Sequence, residues 1–193
     1  MTDRTSKSVA TRQRFIDEAL RLFKEKGYEQ TSMAQIASAA GGSRANLYLY
    51  FNSKPQIIMS RMQEIEAEVV ELYAILDQMP DHAPDSMRGW LEKARQMWVR
   101  SAPEFEAINR AMGTEPKVLD EWLALLRRIA LAQTSLYVGC QGEDEREDRE
   151  VHMATLMTSL ERNFYFLYIR GHQEREDRVL ASLARQWAHL FGE

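Results

Sequence analysis

The sequence contains one cysteine, Cys140, among 193 residues, so the chain cannot form an internal disulfide bond. It also has no uninterrupted apolar run near the roughly 20 residues that a membrane-spanning helix needs. The N-terminal segment MTDRTSKSVATRQRF is polar and contains no apolar stretch typical of a signal peptide. These absences exclude a disulfide-stabilised secreted scaffold and a membrane protein, and we expect a soluble protein of the reducing cytoplasm.

Residue patterns that support catalysis or metal binding are also missing. The four histidines, at positions 82, 152, 172 and 189, do not have metal-ligand spacing, and Cys140 has no neighbouring ligand. Neither a phosphate-binding glycine loop nor a nucleophile motif occurs. We therefore expect no catalytic residues, no metal, no cofactor and no enzyme activity.

Charge is distributed unevenly along the chain. Residues 1–54 contain nine Lys and Arg against five Asp and Glu, a net +4, whereas residues 55–193 contain sixteen against twenty-four, a net −8. A basic first segment favours a polyanionic partner such as nucleic acid, and an acidic remainder stays clear of one. The uneven charge supports a division into two domains, 1–54 and 55–193, with nucleic acid as a candidate partner of the first.

The hydrophobic pattern predicts an all-α fold of about nine helices, because apolar residues recur with the 3.6-residue period and no segment alternates as a strand does. Ser32 with Gln35, and Ser53 with Gln56, have the spacing of capping boxes at helix starts. Later helices are expected at about 116–138, 147–170 and 174–191.

The region from Met33 to Tyr50 has the residues of a helix-turn-helix. Ile36, Ala40 and Leu47 are placed to fill its small core, and Gly41 is placed to form the tight turn. The second helix then presents polar and aromatic residues outward, on an element narrow enough for the DNA major groove, which is about 12 Å wide.

The segment IDEALRLFKEKGYEQTSMAQIASAAGGSRANLYLYFNSKPQII resembles the DNA-binding head of the TetR family of bacterial transcription regulators. The resemblance lies in the ordered fragments LF.E.GYE.TS and IA..AG.S...LY.YF..K, which extend over about 45 residues. It implies an N-terminal three-helix head with a helix-turn-helix on a helical-bundle body. The remainder of the chain is similar to the family only in its number of helices.

The resemblance also implies which residues face DNA. Arg44 is expected to read guanine and Asn46 adenine, while hydroxyl groups and Lys54 bind phosphates. Leu49 is expected to contact either a thymine methyl group or the neighbouring helix. The full set is Thr31, Ser32, Ser43, Arg44, Ala45, Asn46, Tyr48, Leu49, Tyr50 and Lys54.

Two positions depart from the family pattern. Gly42 stands where a branched apolar residue is usual, which we expect to forfeit core packing. Ala45 stands where glycine is frequent, which we expect to change how closely the helix approaches the bases.

In the body, the resemblance implies an effector cavity. Gln133 falls inside the apolar stripe of the 116–138 helix, so its amide either binds a neighbouring group or faces a ligand. Aromatic and methionine residues on these helices suit an adaptable pocket or an ordinary core equally well. The candidate pocket residues are Met97, Trp98, Met112, Trp122, Leu126 and Gln133.

The last two helices carry apolar stripes, and FYFLYI at 164–169 is apolar on every face. We expect one side to pack on the body and another to pack on a second copy of the chain, in a four-helix interface. The predicted interface residues are Met153, Leu156, Leu160, Phe164, Leu167, Val179, Leu183, Trp187 and Leu190.

Together these features predict a ligand-responsive repressor that binds a palindromic operator on double-stranded DNA as a homodimer and is released by a small, mostly apolar effector. One alternative keeps the DNA-binding head, with a body that binds a protein partner or no ligand. A more distant alternative is a helical-bundle enzyme.

Overall fold

A computed structural model describes residues 3–192, with side chains from Ser6 onward. The outermost residues of the two predicted domains, 1, 2 and 193, lie outside this range. The described chain has nine α-helices and no strand, which confirms the all-α prediction. The helices are α1 (Asp3–Lys26), α2 (Met33–Ala39), α3 (Arg44–Tyr48), α4 (Lys54–Asp77), α5 (Pro84–Arg100), α6 (Ala102–Met112), α7 (Pro116–Ala132), α8 (Glu143–Phe164) and α9 (Glu176–Leu190).

The helices belong to two compact units. One is the chain up to Ile65 together with Pro103–Glu121, and the other is Glu66–Ala102 together with the chain from Trp122 onward. Most of α6 therefore groups with the N-terminal helices, although it is distant from them in the sequence. The predicted domain boundary after residue 54 stays a prediction.

Local signals begin the short helices of the first unit. The Ser32 hydroxyl accepts from the Gln35 backbone N–H at 3.2 Å, and the Gln35 side chain accepts from the Ser32 N–H at 2.8 Å, so the predicted capping box is present. At the start of α4, Ser53 caps the Gln56 N–H at 3.4 Å, but the Gln56 side chain accepts from the Asn52 N–H instead.

The turn between α2 and α3 is made by Gly41, whose φ is +66°. This is the left-handed region that favours glycine. The next residue, Gly42, does not leave a gap in the core: a Cβ atom there would lie 3.0 Å from Cζ of Phe15. The expectation that Gly42 forfeits core packing is wrong, because the buried Phe15 ring occupies the space.

Helix α7 ends at Ala132, earlier than the predicted Val138. Asp77, the last residue of α4, accepts hydrogen bonds from the Thr134 hydroxyl at 2.8 Å and from the Ser135 N–H and hydroxyl at 2.7 Å each. Burial raises the pKa of Asp77, but these hydrogen bonds outweigh it and lower the pKa. They hold the chain in a single 3-10 turn, Ser135–Tyr137, in place of a continued α-helix.

Helix α8 also differs from its predicted bounds. It begins at Glu143, earlier than residue 147, because the Glu145 carboxylate accepts the Gln141 N–H at 2.7 Å and three acidic residues lie in the first turn. It ends at Phe164 and is followed by a π-helical segment, Tyr165–Ile169. Helix α9 is close to its predicted range.

Aromatic packing forms the centre of the second unit. The rings of Trp90 and Trp187 have centroids 4.9 Å apart, and Tyr73 packs on both. The Trp90 indole N–H donates to the Leu72 carbonyl at 2.9 Å. Among the helices of residues 3–192, none has both the length and the apolar character that crossing a bilayer requires.

Glycine substitutions test the backbone assignments. Gly89 is exposed inside α5 and lacks a positive φ, and a Cβ atom there would meet nothing within 4 Å. We expect Gly89→Ala to stabilise the protein by about 0.5–1 kcal/mol, because alanine favours the helix. Gly142 also has open space but a φ of +109°, so Gly142→Ala should destabilise the protein. Urea unfolding measures the change in the free energy of unfolding for each variant. A change of the same sign in both would contradict the backbone conformations assigned to Gly89 and Gly142.

Candidate functional site

Helix α3 has one buried side chain, Leu47, which is 0% exposed. The residues around it face outward: Ser43, Arg44, Ala45, Tyr48 and Leu49 are exposed, and Asn46 and Tyr50 are half-buried. Ser43 caps the helix by accepting the Asn46 N–H at 3.1 Å. The predicted recognition residues therefore share one outward-facing element.

Arg44 and Tyr48 are paired on this surface. The guanidinium carbon lies 5.5 Å from the centre of the Tyr48 ring, and Nη2 donates to the Tyr48 hydroxyl at 3.4 Å. The contact aligns the arginine along α3 and leaves its other N–H groups available as donors. The Tyr48 hydroxyl keeps its own proton to donate.

Leu49 and Tyr50 have different surroundings. Leu49 is 82% exposed, so the alternative in which it packs on a neighbouring helix does not hold. The Tyr50 ring packs on Phe15 with centroids 5.8 Å apart, and its hydroxyl lies 3.3 Å from the Ser8 hydroxyl of α1. Ser8 is a hydroxyl on this surface that sequence reasoning missed.

The predicted phosphate ligands at the start of α2 are corrected in part. Thr31 is 1% exposed, and its hydroxyl donates to the carbonyls of Gly27 at 2.8 Å and Leu22 at 3.3 Å. Its side chain therefore closes the α1–α2 turn and is not available to a phosphate. Ser32 is exposed, with its hydroxyl engaged in the capping box.

Lys54 is also held by the protein. Its ammonium donates to the carbonyls of Tyr28 at 2.6 Å and Glu29 at 3.4 Å, and it lies 4.4 Å from the centre of the Tyr28 ring. Desolvation lowers the pKa of Lys54. The negative charges of Glu115 and Glu29 act to raise it but do not outweigh the desolvation. A phosphate contact by Lys54 would have to compete with these internal contacts.

Side-chain bonds join Pro103–Glu121 to the N-terminal helices within the first unit. The Tyr28 hydroxyl donates to Glu115 at 3.0 Å, and Arg61 donates to Glu104 at 2.6 Å. Burial, then the Glu115 carboxylate, raises the pKa of Tyr28. Sequence reasoning missed both pairs because their members are far apart in the chain.

The candidate pocket residues are divided between the two units. Met112 is half-buried in the first unit. The others lie in the second unit and are no more than 7% exposed: Met97, Trp98, Trp122, Leu126 and Gln133. Trp98 packs edge to face on Phe164, with centroids 6.0 Å apart. These side chains therefore take part in the core.

Two buried polar groups lie among these residues. Gln133 is 3% exposed; its Nε2 donates to the Ile129 carbonyl at 3.3 Å, whereas its Oε1 is buried without a hydrogen-bond partner. Glu161, which sequence reasoning missed, accepts the Trp122 indole N–H at 2.8 Å. The sequence signal for Glu161 was its position directly after Leu160, a residue of the apolar stripe. A neighbouring carbonyl thus satisfies the Gln133 amide nitrogen, and a ligand at its oxygen stays a prediction.

The predicted interface residues require correction. All but Val179 are no more than 4% exposed in the single chain: Met153, Leu156, Leu160, Phe164, Leu167, Leu183, Trp187 and Leu190. They lie on the inner faces of α8, of the π-helical segment after it and of α9, and the chain itself already covers them. The outward residues of this region include Val151, which is 59% exposed, and Phe166, which is 47% exposed.

Metal-binding geometry is not found in the described part of the chain, where no three His, Cys, Asp or Glu side chains are grouped to hold an ion.

Known proteins share both the head sequence and the fold. Residues 15–59 match a sequence model of the bacterial regulatory proteins of the tetR family. The uncharacterised HTH-type transcriptional regulator YvaF of Bacillus subtilis (strain 168) is 31% identical over 114 residues, which are 58% of this chain and 56% of YvaF. The chain therefore spans a little over half the length of this curated relative.

Two solved structures extend the likeness beyond the head. A protein of Syntrophomonas wolfei described as a TetR-family transcriptional regulator has a TM-score of 0.73 at 14% identity, covering 93% of this chain and 95% of its own. Thermus thermophilus FadR, a TetR-family transcriptional repressor in complex with lauroyl-CoA, has a TM-score of 0.57 at 18% identity, with 93% and 92% covered. At these identities the likeness shows the fold. With the matching head and the all-α fold together, this chain is similar to the TetR family of bacterial regulatory proteins in its N-terminal sequence and in its fold.

Proposed function

We propose that this protein is a transcriptional repressor that binds a palindromic DNA operator as a homodimer, in the cytoplasm where its DNA lies, and that a small, mostly apolar effector releases it. The observation that carries the proposal is α3, a capped helix anchored by Leu47 that directs Arg44, Asn46 and Tyr48 outward.

Arg44 is the proposed base reader. Its guanidinium presents paired N–H groups that match the O6 and N7 acceptors of guanine in the major groove. Asn46 is suited to adenine, and the exposed side chain of Leu49 to a thymine methyl group. The hydroxyl groups of Tyr48 and Tyr50 supply phosphate contacts, which position the head without selecting a base.

Pairing of two heads follows from the size of the recognition element. A helix of five residues reaches too few bases to select one site in a genome, so two copies must act together. Two-fold symmetry gives a palindromic operator with half-sites about 34–36 Å apart. We propose that the outer faces of α8 and α9 form the interface together with the π-helical segment that follows α8, because the inner faces are already buried. Val151 of α8 and Phe166 of the π-helical segment are exposed on this side.

The effector proposal rests on the body and on one structural neighbour. The unpartnered Gln133 Oε1 offers an acceptor among apolar and aromatic side chains. The FadR of Thermus thermophilus, which shares the fold, was solved with lauroyl-CoA. An effector with an acyl chain is therefore the first class to test, and a body that binds a protein partner or no ligand is the alternative.

Arg44→Ala should cost about 1–3 kcal/mol of operator binding and relax the choice at one base pair in each half-site. Tyr48→Phe, which keeps the ring under Arg44 but removes the phosphate donor, should weaken binding to operator and random DNA alike. Fluorescence anisotropy with both DNAs at fixed salt separates the two effects. Equal losses on both DNAs for Arg44→Ala would contradict its role as base reader.

Phe166→Glu should convert a dimer into a folded monomer, because it places a charge on a side chain that is 47% exposed in the single chain. Operator affinity should fall by about a hundredfold or more, because the second head is lost. Sedimentation velocity at micromolar concentration measures the assembly, and circular dichroism measures the fold.

Leu160→Glu is the matched control, since Leu160 is 3% exposed and a charge there should unfold the chain. A wild-type protein that sediments as a monomer would contradict the dimer. A dimeric Phe166→Glu variant would place the interface elsewhere.

Lauroyl-CoA should lower operator affinity by about tenfold or more, in the usual range for coupled sites. It should also change the intrinsic fluorescence of the body, where Trp98 and Trp122 are buried. Coenzyme A without an acyl chain is the control and should do neither. Operator binding that is unchanged by acyl-CoA esters of several chain lengths would favour the alternative in which the body binds a protein partner or no ligand.

A further inference from the structure

Gly42 lies against a side chain of α1. A Cβ atom at position 42 would lie 3.0 Å from Cζ and 3.1 Å from Cε1 of Phe15. Phe15 is 0% exposed, so its ring lies in the core, where side chains are closely packed. Gly42 does not have a positive φ, so its backbone conformation is open to other residues. The contact with Phe15 is therefore the feature that requires glycine.

The same Phe15 ring touches the chain on both sides of α3. Beyond the C-terminal end of the helix it packs on Tyr50, and before the N-terminal end it fills the space over Gly42. Gly42 directly precedes the N-cap residue Ser43. The side-chain amide nitrogen of Asn46, Nδ2, would lie 3.6 Å from a Cβ atom at position 42. A change at Gly42 thus reaches the helix start and a base-facing side chain together.

We propose that Phe15 and Gly42 are a matched pair of positioning residues that set the placement of α3 and thereby the base preference of Arg44 and Asn46. This inference rests on the proposed function. A side chain at position 42 would force Phe15 or α3 to move by a few tenths of an ångström. Base recognition depends on the direction of paired hydrogen bonds, so such a shift alters which bases are accepted.

The pair makes a complementary exchange possible. Leucine at position 15 lacks the ring atoms that approach Gly42, so Phe15→Leu leaves space and Gly42→Ala overfills it. In the double variant, the methyl group added at position 42 fills the space that the smaller side chain at position 15 leaves. A side chain at position 42 is also closer to the branched residue that is usual there. Neighbouring substitutions that share one cavity are not additive.

Three variants test the pair: Gly42→Ala, Phe15→Leu and the double variant. For each, binding to a set of operators with single base changes, binding to random DNA and the thermal midpoint are measured. We expect Gly42→Ala to lose about tenfold in operator affinity, with random-DNA affinity unchanged and a new preference at the bases read by Arg44 and Asn46. The double variant should recover most of the loss.

Gly89→Ala is the matched control, since it adds one methyl group where nothing lies within 4 Å, in a helix of the second unit. It should leave DNA binding unchanged. If Gly42→Ala fails to fold, the double variant decides, because a matched pair must fold and bind together.

The outcomes separate a positioning role from a structural one. A Gly42→Ala protein with a lower thermal midpoint but an unchanged ratio of operator to random-DNA affinity would overturn the inference alone. Additive losses in the double variant, or its failure to fold, would overturn it as well. A wild-type protein that does not distinguish any selected operator from random DNA would overturn the proposed function, and the inference with it.

Discussion

A helix of five residues does not hold its shape in water, since isolated helices shorter than about 12–15 residues are marginal. The head of this protein is arranged around that constraint. Leu47 is buried beneath α3, Ser43 caps its start, and the backbone N–H of Phe51 returns to the Leu47 carbonyl at 2.9 Å. Packing and caps fix the helix from one side. Its outward side chains are therefore not needed to hold the helix, and other side chains could replace them without loss of the helix.

Much of the head could be predicted from the sequence because its determinants are local. The capping box of Ser32 and Gln35 and the turn at Gly41 each depend on residues within a few positions. Helical periodicity likewise gave α9 nearly its observed range and identified the apolar stripe of α8. Such features need no knowledge of what lies across the core.

The errors arise where a distant partner decides the outcome. The Thr31 hydroxyl, predicted for DNA, is taken by carbonyls of the preceding helix and turn. Helix α7 stops before Ser135 because Asp77, which lies 58 residues earlier in the chain, accepts the Ser135 N–H. For Leu160, periodicity showed that the face is apolar but not what covers it, and the chain itself covers it. Burial of a stripe and its use as an interface are indistinguishable in sequence.

The grouping of Pro103–Glu121 with the N-terminal helices has a consequence for hybrid regulators. A chimaera that joins residues 1–65 to the body of another protein would replace Glu104 and Glu115 with foreign side chains. Arg61 would lose its 2.6 Å partner, and the Tyr28 hydroxyl would lose its acceptor. A transplanted head therefore needs this later segment as well, so the first compact unit of this protein is discontinuous in sequence.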